Sequence, residues 1–240
     1  MKIINAGYEI IRPNMDGLEA RNAIYQLIEQ AGRTCYKSED KITPESAAAF
    51  VQKVVKNHHE AMLEHASMTV KFIVDRGVSH ELVRHRLASF AQESTRYCNY
   101  SKDKFGNEIT VIRPLWLQDD LARDIWEAAC ENAEVMYFHL LEEGWTPQQA
   151  RSILPNSLKT EVIMTANMRE WRHFFRLRAA GETGAPHPQM SEVAVPLLKE
   201  VQAYMPELFG DIKVPEDKLL AYADMDTAHY AESGVMMSAT

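Results

Sequence analysis

Hydrophobic and polar positions along the chain predict three strands. Residues 67–75 read SMTVKFIVD, and this alternation of polar residues with valine, isoleucine and phenylalanine is typical of a half-buried strand. Residues 2–12 carry β-branched side chains and stop at Pro13, which has no backbone donor, so we predict an edge strand there. A third strand is predicted over residues 158–167.

Elsewhere apolar residues recur every three or four positions, which is the spacing of one buried helix face. The first such pattern begins at Leu18 and stops near Gly32. Thr43, Pro44 and Glu45 form a typical helix start, because a hydroxyl cap precedes a proline in the first turn. We therefore predict helices over residues 18–32, 43–58, 79–86, 117–143, 146–155, 169–180 and 188–205.

Helices outnumber strands in this prediction, and the strands are irregularly spaced along the chain. The pattern predicts a single domain of the α+β class over residues 1–215. Residues 216–240 are polar and weakly periodic, so we expect a loosely ordered tail there. Residues 87–107 have few periodic apolar positions and several polar ones, which predicts a functional loop.

The charge and the cysteine content argue against several classes of protein. The chain has 240 residues and a formal net charge of −8, which is unusual for a general nucleic-acid-binding protein. Its three cysteines are widely spaced and odd in number, so they indicate neither a disulfide framework nor a zinc site. The start of the chain does not resemble a signal peptide, and no apolar run is long enough to cross a bilayer. We expect a cytoplasmic protein that binds neither nucleic acid nor membrane.

Residues 84–97, RHRLASFAQESTRY, concentrate positive charge within this acidic chain. Their three guanidinium groups are rigid, permanently charged donors that suit phosphate oxygens, and the hydroxyl of Ser94 adds a neutral donor. Because successive helical residues point about 100° apart, Arg84, His85 and Arg86 cannot share one face of a helix. We therefore predict two ligands, or two chains, at this anion site. A solvated basic helix end is the alternative for the triplet alone.

A second polar cluster consists of His58, His59, Glu60, Glu64 and His65. Histidine and glutamate bind zinc and iron, but Leu63 stands where the zinc motif HExxH requires its second histidine. We expect no metal at this cluster. Surface or hydrogen-bonded histidines, and a contact with a cofactor, are the other interpretations.

A third cluster lies at helical spacing near the middle of the second half of the chain. Arg169, Arg172, His173 and Arg176 fall on one stripe, with no acidic residue within it. We interpret the stripe as facing an anion, with a solvated charged face as the alternative. Arg151 lies among apolar residues, and a partly buried arginine generally has a specific partner.

The order of these motifs resembles that of the flavin-dependent thymidylate synthases. Arg84-His85-Arg86, seven intervening residues and Ser94 match the RHR-x7-S signature of that family. The other matches, in the family's order, are His59-Glu60 with Glu64-His65, the strand over 67–75, the segment 150–155, Asn167-x-Arg169, Leu177-Arg178 and His187-Pro188-Gln189. The resemblance covers most of residues 1–210.

The resemblance implies a fold and a reaction. The fold is α+β with a central, mostly antiparallel sheet flanked by helices, the thymidylate synthase-complementing (ThyX-type) fold. The family methylates dUMP to dTMP. Methylenetetrahydrofolate supplies the carbon, and FAD reduced by NADPH supplies the hydride. A homotetramer with active sites shared between subunits is also implied.

The resemblance further implies roles for individual residues. The dUMP-binding residues are Glu81, Arg84, Gln92, Ser94, Arg96, Arg151 and Arg178. The FAD-binding residues are His59, Arg84, His85, Arg86, Gln92, Asn167, Arg169, His173 and His187. Arg178 and Ser94 are implied to be catalytic through polarisation of the pyrimidine, because an unaided serine hydroxyl is a poor nucleophile. Glu81 and Gln92 stand where some members carry glutamine and glutamate, which leaves their hydrogen bonds open.

Two other functions are compatible with the sequence. A nucleotide- or RNA-binding module without catalysis would use the same arginines, bind polyanions in a salt-sensitive manner and carry no chromophore. A metal-dependent hydrolase built on His58, His59, Glu64 and His65 would lose its activity to a chelator.

Overall fold

The computed structural model describes residues 1–11, 17–117 and 119–223. The strands are β1 (Lys2–Ile4), β2 (Gly7–Ile11), β3 (Ser67–Asp75), β4 (Ala88–Gln92), β5 (Thr110–Ile112) and β6 (Lys159–Asn167). The helices are α1 (Gly17–Tyr36), α2 (Ser46–Lys56), α3 (Arg76–Leu82), α4 (Asp120–Glu142), α5 (Pro147–Ala150), α6 (Met168–Phe175), α7 (Pro188–Tyr204), α8 (Pro206–Phe209) and α9 (Glu216–Ala223). Short 3-10 segments span Glu39–Lys41, Glu60–His65, Asp103–Phe105 and Arg151–Ile153, and a π-helical segment, Arg176–Ala180, continues α6.

Four antiparallel strands form the main sheet, in the order β2-β3-β6-β4. The longest pairing is between β3 and β6, which run side by side from Ser67 opposite Asn167 to Asp75 opposite Lys159. A separate parallel pair joins β1 to β5. The predicted α+β class with a mostly antiparallel sheet is therefore confirmed.

One face of the main sheet forms the core of the molecule. Alternate residues of the two central strands, among them Val70, Phe72, Val162 and Met164, are fully buried. α6 covers them, and its Trp171 indole N–H donates to the carbonyl of Met68 at 2.9 Å. α7 is buried along most of its length, so it is the central helix of the core.

A smaller apolar cluster packs α4 against the parallel pair. Tyr137 and Cys130 of α4 are buried there with Val111 of β5 and Ala150 of α5. Most of the remaining surface of α4 faces outwards. No helix within the described residues has both the length and the apolar character needed to span a membrane.

The predicted helix 79–86 begins earlier and ends earlier than expected. The side chain of Asp75 accepts a hydrogen bond from the backbone of Val78 at 2.7 Å, so the helix starts immediately after β3. It ends at Leu82, and the RHR triplet lies in the following turn. The prediction that Arg84–His85–Arg86 is helical is wrong, and the helical angle between successive residues does not apply to it.

Other local predictions also change. The predicted strand 2–12 is two strands, β1 and β2, and its last residue lies outside the described part of the chain. Residues 87–107, predicted to be a functional loop, contain β4, which pairs with β6. The sequence of β4 lacks the strong alternation of apolar and polar residues that indicates a strand. Helix 43–58 begins only at Ser46. The first residues of the predicted tail form α9, and residues 224–240 lie outside the described range.

We expect Phe72→Ala to destabilise the chain by about 3–5 kcal/mol, because it removes a fully buried ring from the sheet–helix core. That ring contacts Trp171 and Phe174, with centroids 6.4 and 6.0 Å away. Chemical denaturation measures the change. Ile163→Ala, on the opposite face of β6 and 37% exposed, is the control and should cost less than about 1 kcal/mol. Equal losses would contradict this assignment of the core.

Candidate active site

Two adjacent clefts lie beside α3. The first, the Arg178 cleft, has a volume of about 670 Å³ and is lined by Glu81, Arg84, Arg178 and His187 among others. The second, the Arg151 cleft, has a volume of about 640 Å³ and is lined by Arg76, Thr95, Gln148 and Arg151 among others. The two clefts share His80 and Asn156, so they adjoin at these residues, and together they are called the depression.

Arg178 is held between two partners inside its cleft. Its Nε donates to Nε2 of His85 at 3.1 Å, and its Nη1 pairs with the carboxylate of Glu81. The residue lies on the π-helical segment that follows α6, a local widening of the helix that is frequent at functional sites. The guanidinium orientation is thus fixed from two sides.

The tautomer of His85 follows from these contacts. Because Nε2 accepts from a guanidinium, it carries no proton, and Nδ1 must donate to Glu170 Oε1 at 3.0 Å. Burial lowers the pKa of His85 below its ordinary value; the charge of Arg178 acts in the same direction and Glu170 opposes it. His85 is only 4% exposed, so it orients Arg178 from inside the protein.

A polar layer lies beneath the Arg178 cleft. Asp75, Gln189 and Glu192 are all buried there, on β3 and α7. Burial, followed by the nearby charge of Asp75, raises the pKa of Glu192 to about 8. The Glu192 carboxyl is therefore mainly protonated at neutral pH, and it adds little negative charge below a cleft that contains two arginines.

The guanidinium groups of the Arg151 cleft have neutral hydrogen-bond partners. Arg151 Nη1 donates to the hydroxyl of Thr95 at 3.0 Å, and Arg76 Nη1 donates to that of Thr160 at 3.3 Å. Arg96 Nε donates to Gln148 Oε1 at 2.9 Å, which places Arg96 beside the cleft. Within residues 1–11, 17–117 and 119–223, no carboxylate forms an ion pair with Arg76, Arg84, Arg86, Arg96 or Arg151.

Unneutralised guanidinium groups in an acidic protein favour an anion. The chain carries an excess of carboxylates, yet those in the described residues form no ion pair with these five arginines. A neutral hydroxyl partner such as Thr95 orients the guanidinium and does not cancel its charge. Together the two clefts can hold a phosphate at one end and a polar ring at the other.

The arginines of the stripe Arg169–Arg176, which was predicted to face an anion, form ion pairs with carboxylates. Arg169 pairs with Glu64 at 2.5 Å, and the buried Arg172 pairs with Asp211 at 2.7 Å. Arg176 lies between Glu60 and Asp211. These carboxylates come from distant segments that helical spacing does not show, so the lack of acidic residues within the stripe no longer supports an anion-facing role.

The remaining predicted site residues occupy several environments. The amide of Gln92 donates inward to Ser79 at 3.0 Å and Thr160 at 3.2 Å. The side chain of Asn167 caps α6 by accepting from the backbone of Glu170. Ser94 Oγ accepts from the backbone of Arg96 at 3.3 Å. His173 is exposed, and its ring centroid lies 5.9 Å from that of His85.

His59 and Arg169 lie together in a third cleft of about 470 Å³, bordered by Glu60 and Arg176. Within one chain, these two predicted FAD-binding residues therefore lie in a different cleft from Arg178. Arg86 is exposed in the turn after α3. These positions are consistent with a ligand that reaches several surfaces.

His85, Glu170 and His173 bring potential metal-ligating atoms within 4.8 Å of one another. The Arg178 guanidinium occupies Nε2 of His85 at 3.1 Å, however, and Glu170 occupies Nδ1. A fixed positive charge in contact with a ligand nitrogen disfavours a bound cation. The cluster is better explained as the support of Arg178.

Sequence reasoning missed several residues that line the clefts. They are Arg76, His80, Trp116 and Asn156. A signal for two of these residues exists, because Arg76 and His80 lie four positions apart within α3. Asn156 and Trp116 follow no such pattern, and only the folded chain brings them to the clefts.

Comparison with known proteins identifies relatives. The family model described as thymidylate synthase complementing protein matches residues 18–207. The flavin-dependent thymidylate synthase of Corynebacterium efficiens is 35% identical over 201 residues, which cover 78% of this chain and 79% of that protein. The flavin-dependent thymidylate synthase of Corynebacterium glutamicum is 32% identical over 235 residues, or 90% of this chain and 88% of that protein.

Solved structures share the fold. The flavin-dependent thymidylate synthase ThyX of Helicobacter pylori, complexed with FAD and dUMP, has a TM-score of 0.62 at 22% identity, over 78% of this chain and 94% of that chain. The UMP/dUMP methylase PolB of Streptomyces cacaoi, bound with 5-Br dUMP, has a TM-score of 0.68 at 22% identity, over 92% and 98%. At this identity the likeness concerns the fold alone.

An α+β chain with adjoining arginine-lined clefts falls in the class of proteins built to bind anionic ligands. The family match identifies the chain more narrowly than this class does. It extends over most of the chain and includes the RHR-x7-S motif. The chain belongs to the flavin-dependent thymidylate synthase family, that of the thymidylate synthase complementing proteins.

We expect the stability of the chain to depend on pH through His85. The unfolded histidine takes up a proton at about pH 6.5, whereas the buried, neutral His85 does so only at a lower pH. Its contribution is therefore complete above about pH 6.5 and is lost as the pH falls below that value. The free energy of unfolding should then fall more steeply for the wild type than for His85→Gln, by up to about 1.4 kcal/mol per pH unit.

Denaturation at several pH values measures this difference. His139→Gln, at an exposed position on α4, is the matched control and should keep the wild-type slope. Parallel slopes for wild type and His85→Gln would show that His85 is not held neutral.

Proposed function

We propose that this chain is a flavin-dependent thymidylate synthase that methylates dUMP to dTMP. Methylenetetrahydrofolate would supply the carbon, and FAD reduced by NADPH would supply the hydride. The observation that carries the proposal is a set of guanidinium groups with no carboxylate partner among the described residues, along two adjoining clefts. The chain also matches this family along most of its length.

The nucleotide spans both clefts. Its phosphate lies in the Arg151 cleft, where Arg151 and Arg96 are fixed by neutral partners and keep their charge. Ser94 adds a hydroxyl beside Arg96. The uracil lies in the Arg178 cleft, against a guanidinium whose orientation is already set.

Arg178 polarises the pyrimidine. Its guanidinium cannot rotate freely, because His85 and Glu81 hold two of its nitrogens. A fixed positive charge beside a uracil carbonyl stabilises the negative charge that develops on the ring during reaction and needs no reorganisation. His85 is then a positioning residue for Arg178. This role takes the place of the contact with FAD that the family resemblance implies for His85. Glu81 likewise acts through Arg178, and Gln92 supports Ser79 and Thr160.

The chain also offers groups that suit FAD, which supplies hydride chemistry when it is bound. Arg84 and Arg86 carry charge that no described carboxylate neutralises, which matches a diphosphate. Arg84 also lines the Arg178 cleft, so it can contact both ligands. His59, Asn167, Arg169, His173 and His187 remain proposed flavin contacts.

A homotetramer with shared active sites completes the proposal. The third cleft, with His59 and Arg169, is separate from the Arg178 cleft, and subunit assembly would allow one flavin to contact both kinds of surface. The outer face of α4 exposes Leu121, Ile125 and Val135, which assembly would cover. A cytoplasmic location is proposed with it, supported by three free cysteines.

We expect purified protein to be yellow, or to become yellow with FAD, and to oxidise NADPH faster when dUMP is added. Absorbance near the flavin band and at the NADPH band measures both effects, and dTMP should form only when methylenetetrahydrofolate is present. Reactions without dUMP are the control. A colourless protein that FAD cannot reconstitute would refute the proposal, and so would activity that disappears with a chelator.

We expect Arg178→Ala to weaken dUMP binding by at least tenfold, or about 1.4 kcal/mol, and to leave flavin bound. Calorimetric titration with dUMP and the flavin content of the purified variant measure the two effects. Arg123→Ala, at a surface ion pair with Asp120 on α4, should change neither. Loss of flavin with intact dUMP binding would show that Arg178 belongs to the cofactor site.

A further inference from the structure

His80 and Asn156 occupy the place where the two clefts meet. Both residues line the Arg151 cleft, and both line the Arg178 cleft. Both are exposed, and the described parts of the chain give neither the His80 ring nor the side-chain amide of Asn156 a hydrogen-bond partner. Two free polar groups thus lie at the junction of two arginine-lined clefts.

The order of residues along α3 matches this position. Arg76 lines the Arg151 cleft, His80 lines both clefts, and Arg84 lines the Arg178 cleft. Residues four apart on a helix lie on one side, so Arg76 and His80 follow each other along the depression. The turn after Leu82 continues the row to Arg84.

The local backbone places Asn156 beside this row. Its carbonyl accepts from the backbone of Arg76 at 3.0 Å, which fixes the segment before β6 against the start of α3. A Cβ atom at Gly77 would lie only 2.8 Å from Asn156 Nδ2. The side-chain amide of Asn156 therefore occupies the space beside Gly77, which has no side chain.

A nucleotide has the same order of parts as the depression, since its sugar joins the phosphate to the base. We infer that His80 and Asn156 bind the sugar of the nucleotide through its hydroxyl group. This inference rests on the proposed function, which assigns the phosphate to the Arg151 cleft and the base to the Arg178 cleft. A hydroxyl both donates and accepts, and an imidazole together with an amide offers a partner for each.

The test uses the holoenzyme and three probes: dUMP, 2-deoxyribose 5-phosphate and inorganic phosphate. In His80→Ala and in Asn156→Ala, the dissociation constants for dUMP and for 2-deoxyribose 5-phosphate should each rise about tenfold, as expected for one lost hydrogen bond. The affinity for inorganic phosphate should be unchanged. The KM for dUMP should rise with little change in kcat, and His80→Gln, which keeps a polar group, should recover part of the loss.

Arg123→Ala, at a surface ion pair with Asp120 on α4, is the control and should behave as the wild type. A loss of phosphate affinity in His80→Ala would make His80 a phosphate ligand and overturn the inference. A loss for dUMP alone, with 2-deoxyribose 5-phosphate unaffected, would assign the residue to the base and overturn it as well.

Failure of the proposed function gives a different result. Wild-type protein that binds none of the phosphate compounds would refute the nucleotide assignment, and the sugar site with it. Wild-type binding of dUMP with unchanged binding in both variants would refute the sugar site only.

Discussion

The pairing of β3 with β6 is the constraint on which the rest of the structure depends. Its register sets Asp75 opposite Lys159 at one end of the ladder and Ser67 opposite Asn167 at the other. At the first end, α3 leaves β3 directly beside the segment that precedes β6, so Arg76 meets Asn156. At the second end, α6 begins beside residues 60–65, so Arg169 meets Glu64. A slip of one strand by one residue would turn its buried residues to the opposite face of the sheet.

This register also separates the arginines into two groups with different roles. Arg169, Arg172 and Arg176 approach the carboxylates of residues 60–64 and 211, and these ion pairs join α6 to distant parts of the chain. Arg76 and Arg151 approach hydroxyl groups instead and keep their charge. No carboxylate is among the residues that line the Arg151 cleft, so a local anion site there is compatible with a net charge of −8.

Arg178 belongs to neither group, since it combines a carboxylate with a neutral imidazole. The ion pair with Glu81 holds one end of the guanidinium, and the Nε2 atom of His85 holds the Nε–H. Glu170, from the first turn of α6, fixes His85 in turn. These contacts connect the turn after α3 with α6 and with the π-helical segment. The core packing of α6 and the orientation of Arg178 are therefore coupled. Its physical consequence is a guanidinium that is orientated before any ligand arrives.

The sequence by itself determined the two central strands, the long helices and the residues of the RHR-x7-S motif, because these depend on local periodicity and on fixed spacing. Strand 67–75 has the predicted limits, since its alternation matches its burial. The strand β4 and the early start of α3 at Arg76 were not evident, because pairing with β6 decides the first and the side-chain cap of Asp75 decides the second. Only the tertiary structure decided which arginines are neutralised and which residues join the clefts. Arg178 meets Glu81, and Arg169 meets Glu64, across about a hundred positions of chain, and such contacts follow from strand register rather than from local sequence.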